Sequence, residues 1–364
     1  MFDKAIEVMK LIEKNGFKVY IVGGYVRDIY LSIESTDIDM CTNAKPKDLV
    51  NIFKSNIIID EQYGSVKLEY KKYHFDITTF RKDIKYKDNR RPSEIEYVDD
   101  LKEDLNRRDF TINTMCMDSD GNIIDILNAK KDIEKKLIRT VRDAKKTLEE
   151  DSLRILRAIR FSCTLNFRID WKLDFFIRKY AKLLNNISFD RKKSELNNIF
   201  KSDNYEKGLR LISKYKLDRY LGISKYNKIK KTSDLLGMWA QIEYYDGYSF
   251  TKLEKETIKK IRELLIYGKI DLFALYKYGN YISSIVAEIL DIDKKEISEM
   301  NESLPIHSID DIKINVMDIC KILNVSPSSK TKNILKDIEY KIIIGELKNT
   351  KKDIEKYIKE SSGD

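Results

Sequence analysis

The chain has four prolines, and none between Pro92 and Pro305. Proline breaks helix interiors, and apolar residues recur there at three- and four-residue intervals, so most of that span is expected to be helical. Cysteine is equally scarce: Cys41, Cys116, Cys163 and Cys320 are scattered without a close pair. That excludes a disulfide scaffold and, with an N-terminus (MFDKAIEVMK) lacking an apolar signal region, implies a reduced, cytoplasmic setting. Only two histidines occur, His74 and His307, distant from each other and with no second metal-ligand partner beside either. A histidine-built metal centre, such as a histidine–aspartate phosphohydrolase module, is thereby excluded. Long hydrophobic runs are also missing. Lys, Glu or Asp interrupts every apolar stretch within a few residues, so no membrane association is expected.

A length of 364 residues is enough for two to four packed units. The 69 basic and 60 acidic residues leave a net charge of +9, compatible with a polyanionic partner but too small to specify one. Lys, Ile, Asn and Tyr are used at the expense of Ala, Gly and Pro, the mark of an AT-rich genome, so lysine clusters carry less weight here than elsewhere.

The chain is organised around residues 19–39. Val19-Tyr20-Ile21-Val22 predicts a buried strand that stops at Gly23-Gly24, where backbone without Cβ admits a close ligand. Tyr25 to Leu31 predicts a short helix whose first N–H groups would face the same anion, with Arg27 to neutralise it. Asp37-Ile38-Asp39 then sets two carboxylates on one face of the next strand, a donor set for a divalent cation. A Gly-Gly pair alone is usually a turn, and one Asp-x-Asp usually a solvated strand end. In this order, across one helix, they compose a site for magnesium and a nucleoside triphosphate.

The strings GGYVRDIYL and TDIDM resemble the signature of the polymerase β superfamily of nucleotidyltransferases, specifically the class II (bacterial and eukaryotic) tRNA nucleotidyltransferase and poly(A) polymerase family. Later stretches fit the same family in order, specifically over residues 18–200 and beyond that by length and helicity alone. Ile57–Asp60, Ser65–Tyr70 and Tyr73–Phe80 read as strands of a mixed sheet carrying helices. The string YGSVKLEYKKYHFDITTFR is similar to the CCA-adding branch and lacks the Arg-rich run expected of a poly(A) polymerase. Asp76, on the last of these strands, stands where this superfamily often supplies a third carboxylate, although a solvated strand aspartate would look the same. Residues 81–100, dense in charge and turn-prone at Asp88-Asn89, predict a mobile loop. LNRRDFTINTMCM, residues 105–117, is similar to the family's second motif, which implies a triphosphate- or ribose-binding role for Arg108, Asp109 and Asn113. Ile123 to Leu127 reads as a closing strand, with Asn128-Ala129 where the family usually has a glycine.

Residues 149–165, EEDSLRILRAIRFSCTL, predict one helix on which Asp151, Arg154, Arg157 and Arg160 step by three along one face while Leu153, Leu156 and Ile159 anchor the other. Alone, this is an ordinary amphipathic helix. The resemblance makes it the nucleotide-selecting motif, with Asp151 and Arg154 reading the base, Arg157 and Arg160 supporting the triphosphate or the reader, and Ser152 replacing a usual proline. ISFDRKKSELNNIF then resembles the following neck motif, in which Arg191 and Glu195 would brace that helix. Residues 228–304 alternate short helices with turns near Gly237, Gly247 and Gly279, and the lysine-rich stretch from Lys313 onward reads either as a solvated helical face or as a phosphate track.

The expected fold is α+β: a nucleotidyltransferase head (1–139) with a mixed β-sheet and helices, then an all-α neck (140–200, nucleotide selection), body (201–304) and tail (305–364, tRNA binding). The resemblance implies addition of CCA to the 3′ end of tRNA from CTP and ATP. Magnesium would be held by Asp37 and Asp39, with Asp76 a further catalytic carboxylate, and phosphates or ribose by Gly23, Gly24, Arg27 and Arg108. A poly(A) polymerase, an enzyme adding only A or only CC, and a non-catalytic RNA-binding relative stay open alternatives, as does the oligomeric state.

Overall fold

The structure is a computed structural model that describes every residue except 55–56, 61–62, 88–90 and 362–364. The chain forms two compact units, one of Met1–Ile223 with Tyr245–Tyr248, the other of Ser224–Tyr244 with Ser249–Asp364.

In the first unit, α1 (Phe2–Lys14) buries Ala5, Val8, Met9 and Ile12 at helical spacing. There follow β1 (Val19–Val22), α2 (Gly24–Tyr30), β2 (Asp39–Thr42), α3 (Pro46–Phe53), β3 (Ile57–Asp60), β4 (Ser65–Tyr70) and β5 (Tyr73–Thr79). Pro46 opens α3 at its first turn, where the missing N–H costs nothing. With two short strands from further on, β3-β4-β5-β2-β1 make a mixed sheet in which β2 and β5 run parallel and the remaining pairs antiparallel. One face is closed by Ile21, Met40, Val66, Leu68, Phe75 and Ile77, all buried. The alternate residues of β4 and β5, among them Lys67, Glu69, His74 and Asp76, stay exposed, as period-two patterning requires.

Residues 81–100 depart from the expected loop. β6 (Arg81–Lys87) and β7 (Arg91–Tyr97) pair antiparallel with a register shift around Asp83 and Lys85; the anticipated Asp88-Asn89 turn lies outside the described residues. Cross-strand backbone hydrogen bonds do not require apolar alternation, so a charge-rich sequence conceals a ribbon. The ribbon is tied down at its base. The Arg81 guanidinium donates to the Tyr63 carbonyl, and the Tyr97 ring covers Gly64, where a Cβ would come within 2.6 Å of it.

Next come α4 (Leu101–Asn106), a 3₁₀ turn (Thr111–Asn113), β8 (Cys116–Met117), β9 (Ile123–Ile124) and α5 (Ala129–Glu134). The expected strand to Leu127 stops at Ile124, because the Asp125 carboxylate accepts from the Ala129 and Lys130 N–H groups at 2.7 and 2.9 Å and starts α5 instead. Asn128 adopts φ +58°, the left-handed conformation that a glycine takes freely and asparagine tolerates.

Further elements of this unit are β10 (Leu137–Ile138), α6 (Ala144–Glu150), α7 (Leu153–Thr164), β11 (Arg168–Ile169, parallel to β10), α8 (Trp171–Tyr180), a 3₁₀ helix (Ala181–Asn186), α9 (Phe189–Lys201), α10 (Tyr205–Lys214) and α11 (Asp218–Leu221). The single helix expected over 149–165 is in fact two, broken at Asp151-Ser152. Asp151 is extended (φ −142°, ψ 100°) and its carboxylate accepts from the Leu153 N–H at 3.0 Å, a local bond that competes with helix continuation. Asp151 therefore does not continue the arginine stripe.

The second unit is helical apart from short pairings: α12 (Leu235–Ala240), α13 (Lys252–Tyr267), α14 (Leu272–Leu290), α15 (Lys294–Glu302), α16 (Val316–Leu323), α17 (Ser329–Ile343) and α18 (Lys351–Ser361). Gly237 is not the expected turn but lies inside α12, where a Cβ would meet Thr232 Oγ1 at 2.5 Å and Ile285 Cγ2 at 2.7 Å. Gly279 kinks α14 with φ +79°. Ile312, Ile314, Ile319, Ile338, Ile342, Ile354 and Ile358 form one buried cluster, so the lysine-rich tail is the polar side of a packed element. Among the described residues no helix is long and apolar enough to cross a membrane.

Candidate active site

β1 delivers the chain to Gly23, whose φ of +88° only glycine adopts without strain. The turn brings backbone past two guanidiniums: a Cβ on Gly23 would lie 3.7 Å from Arg108 Nη1, and one on Gly24 3.6 Å from Arg27 Nη2. α2 is only seven residues long, so attraction for an anion here rests on those side chains rather than on the helix end.

Arg27, Arg108, Arg157 and Arg160 line one cleft of about 340 Å³ together with Gly23, Gly24, Asp37, Asp39, Asp109 and Asn113. Arg27 Nε and Nη2 donate to Asp28 Oδ1 at 2.8 and 2.7 Å, and its Nη1 donates to Asn113 Oδ1 at 2.6 Å. Asn113 Nδ2 in turn donates to Asp109 Oδ1 at 3.0 Å, and Arg157 Nε to Asp109 Oδ2 at 2.7 Å. Arg160 Nε donates to Glu195 Oε2 on α9 at 2.8 Å. Burial alone would raise the Asp109 carboxyl, but the Arg157 charge and the Asn113 hydrogen bond hold it well below the usual carboxylate range. Arg108 donates to the fully buried Asp104 at 3.2 Å, while its Nε is buried without a partner among the described residues. Three of these guanidiniums are positioned by the buried acids Asp104, Asp109 and Glu195 and the fourth, Arg27, by Asp28 and Asn113; with one donor to spare, the set suits a polyphosphate.

Asp37 precedes β2 and Asp39 begins it, both exposed on either side of the buried Ile38, so the same-face placement holds although the strand starts later than expected. Asp39 lies opposite Asp76 in the parallel β2–β5 pair, two positions joined by register and not by sequence. The Asp39 carboxyl is pushed up to about 6, first by the protein around it, then by the charge of Asp37 and, more weakly, of Asp76, with Arg108 pulling the other way. Among the described residues no group of three or more His, Cys, Asp or Glu side chains is placed to hold a metal ion by itself. The acids form an open ridge, the arrangement in which a small hard cation takes part of its coordination from substrate phosphate.

The structure does not bring every expected residue to this cleft. Arg154 is buried and donates to the Thr147 carbonyl and the Arg107 carbonyl, each at 3.1 Å, with Asp151 at 3.9 Å. Neither Asp151 nor Arg154 is among the residues lining the cleft. Glu195 is buried against α7 through Arg160, whereas Arg191, on the same helix, is exposed. Sequence reading missed Phe161. Its ring centroid lies 5.1, 5.4 and 4.2 Å from the guanidinium carbons of Arg27, Arg157 and Arg160. The available signal was its place four residues after Arg157, on the same helix face.

Residues 19–139 match the family model described as Poly A polymerase head domain, residues 166–222 an RNA-binding model of polymerase A, and residues 249–358 a tRNA nucleotidyltransferase second-domain model. The chain is 33% identical over 376 residues to the CCA-adding enzyme of Lactococcus lactis subsp. cremoris, covering 96% of this chain and 94% of that one. It is 30% identical over 392 residues to the CCA-adding enzyme of Streptococcus agalactiae, covering 99% and 97%. Among solved structures it is similar to the Bacillus stearothermophilus CCA-adding enzyme in complex with CTP, with a TM-score of 0.89, 25% identity, and coverage of 100% of this chain and 98% of that one.

Proposed function

This chain belongs to the family of CCA-adding tRNA nucleotidyltransferases, and on that premise we propose that it extends the 3′ end of tRNA with C, C and A from CTP and ATP, in the cytoplasm, without a nucleic-acid template. The observation that carries the reading is the cleft in which four guanidiniums adjoin the ridge of Asp37 and Asp39. In each addition the acceptor 3′-hydroxyl oxygen bonds to the α-phosphorus, the α–β anhydride bond breaks, pyrophosphate leaves with the bonding electrons, and the hydroxyl proton departs to a base.

Gly23 and Gly24 let the triphosphate approach the backbone, and Arg27, Arg108, Arg157 and Arg160 neutralise it. Asn113 and Asp109 keep Arg27 and Arg157 in fixed orientations. Magnesium fits the chemistry of the donor set, since Asp37 and Asp39 both line the guanidinium cleft and offer hard carboxylate oxygens there. Bound to Asp37 and Asp39, it would supply charge neutralisation of the triphosphate and a lower pKa for the acceptor hydroxyl.

Asp151 and Arg154 serve as the base readers in this proposal. Their support is position: Arg154 lies in the first turn of α7, one turn before Arg157, with Asp151 at the break just ahead of it, and Arg154 is hydrogen-bonded to the loop that carries Arg108. An Arg donor beside an Asp acceptor matches the Watson–Crick edges of cytosine and adenine, whereas uracil and guanine set donor against donor. Reading with Arg154 requires its guanidinium to exchange the Thr147 and Arg107 carbonyls for a base.

The proposed division of labour keeps the head at 1–139, the neck at 140–200, the body at 201–304 and the tail at 305–364. Transcripts ending before CCA, after one C and after two, each incubated with CTP, ATP or both, test the function. Addition that halts after CCA supports it. Long A tails on any RNA would select a poly(A) polymerase, and arrest after CC or addition of A alone would select a partial enzyme.

A further inference from the structure

Asp104, on α4, is completely buried and is not among the residues lining the guanidinium cleft. Its two oxygens divide their partners. Oδ1 accepts from Arg107 Nε and Nη2 at 2.9 and 2.8 Å and from the Arg81 backbone N–H at 3.3 Å, and Oδ2 accepts from Arg108 Nη2 at 3.2 Å. Arg81 is the first residue of β6, so the base of the β6–β7 ribbon and an arginine of the cleft share one carboxylate. Burial opposes its ionised form, but the charges of Arg107 and Arg108 and the hydrogen bonds it accepts outweigh that and hold the Asp104 carboxyl below the ordinary value. At the surface α4 and β6 are joined again, Lys82 Nζ lying 2.6 Å from Glu103 Oε1, but an exposed pair of this kind contributes little. What Asp104 sets is the aim of Arg108. Nη2 is taken by Asp104, Nε is buried without a partner among the described residues, and Nη1 is the nitrogen that a Cβ on Gly23 would meet at 3.7 Å. A guanidinium is a planar fork, so fixing Nη2 fixes where Nη1 points.

Resting on the nucleotidyltransferase reading, we propose that Asp104 is a positioning residue through which the seating of the ribbon base and the grip of Arg108 on the triphosphate depend on one another. When β6 lifts, Oδ1 loses the Arg81 N–H, the carboxylate is free to turn toward Arg107, and Arg108 loses its anchor. When a triphosphate holds Arg108, Asp104 is held with it and β6 stays seated. The dependence is reciprocal, as any coupling between two equilibria must be. Asparagine at this position keeps the shape but replaces one acceptor with a donor, which then faces Arg108 on one side or Arg107 and the Arg81 N–H on the other.

The test uses the full chain with CTP and magnesium and no RNA, so that nothing reacts. In wild type, saturating CTP is expected to slow hydrogen exchange at the Arg81 amide about fivefold, and in Asp104→Asn saturating CTP is expected to leave that exchange unchanged. Kinetics on a tRNA transcript lacking CCA give the second readout. Asp104→Asn is expected to lower kcat/KM for CTP about tenfold, with KM for tRNA changed less than about twofold, and to cost less than about twofold once Arg108 is already Ala. Losses that simply add in the double variant, or an Arg81 amide indifferent to CTP in wild type, would overturn the coupling and leave the function standing. The wild-type amide decides the matter even where the variant does not fold. A wild type that adds no nucleotide to tRNA removes both.

Discussion

Arg157 grips Asp109 with two nitrogens, Nε and Nη2, each 2.7 Å from Oδ2, across 48 residues of sequence. The pair links α7 to the turn after α4. Through Asn113 it continues to Arg27 on α2, so cations from two helices are fixed by one buried carboxylate.

Removing that carboxylate leaves the partly exposed Arg157 and the buried Asn113 without their shared acceptor. Asp109→Ala is expected to destabilise the fold by about 1–3 kcal/mol, read from urea melts. Because the Asp109 pKa is depressed in the folded state, its contribution is full above the ordinary carboxylate value near 4 and is lost as pH falls below it. Melts between pH 3 and 7 should show the wild-type advantage constant at neutral pH and shrinking only in acid. An advantage that instead disappears near pH 7 would contradict the pairing.

Asp37→Ala and Asp39→Ala are each expected to abolish nucleotide transfer while leaving tRNA affinity nearly intact, since binding comes from distributed phosphate contacts. Filter binding and single-turnover transfer on one preparation decide it. Activity within about tenfold of wild type would remove these residues from the metal site.

Phe161→Leu should raise KM for both CTP and ATP by roughly three- to tenfold, because each guanidinium–ring contact is worth about 0.5–1 kcal/mol and Arg27, Arg157 and Arg160 share the ring. Phe161→Tyr keeps the π face and should restore wild-type KM. A tyrosine variant as weak as the leucine one would reduce the ring to filler.

Asp151→Ala is expected to cost ten- to a hundredfold in kcat/KM for CTP and ATP, from about 1.5–3 kcal/mol per charge-assisted hydrogen bond, and less for UTP. The ratio of CTP to UTP use should therefore narrow. An unchanged ratio would make the start of α7 a scaffold, in keeping with the inward bonds of Arg154.

The lysines of α17 need substitution rather than truncation, because the same helix buries Ile338 and Ile342 in the core of the second unit. Reversing the exposed Lys330, Lys332 and Lys336 to Glu should weaken tRNA binding and flatten its dependence on salt. An unchanged slope would show these charges to be merely solvated.

Short-range pattern was enough for much of this protein. Four β-branched or aromatic residues before Gly23-Gly24 determined β1 and its stop, Pro46 the start of α3, and the spacing of Arg157 and Arg160 the shared face of α7. Alternation around Ile38 was enough to keep Asp37 and Asp39 exposed together. What the sequence could not determine was anything set by register or packing between distant segments. Asp39 meets Asp76 only because β2 pairs in parallel with β5, and Asp109 meets Arg157 only because α7 packs over the turn after α4. The ribbon of β6 and β7 is held by backbone bonds that charged side chains do not reveal, and the break at Asp151 by one side-chain-to-backbone bond that competes with the helix. Periodicity records which side of an element is buried; it does not record which element buries it, and the cleft beside Asp37 is made by that choice.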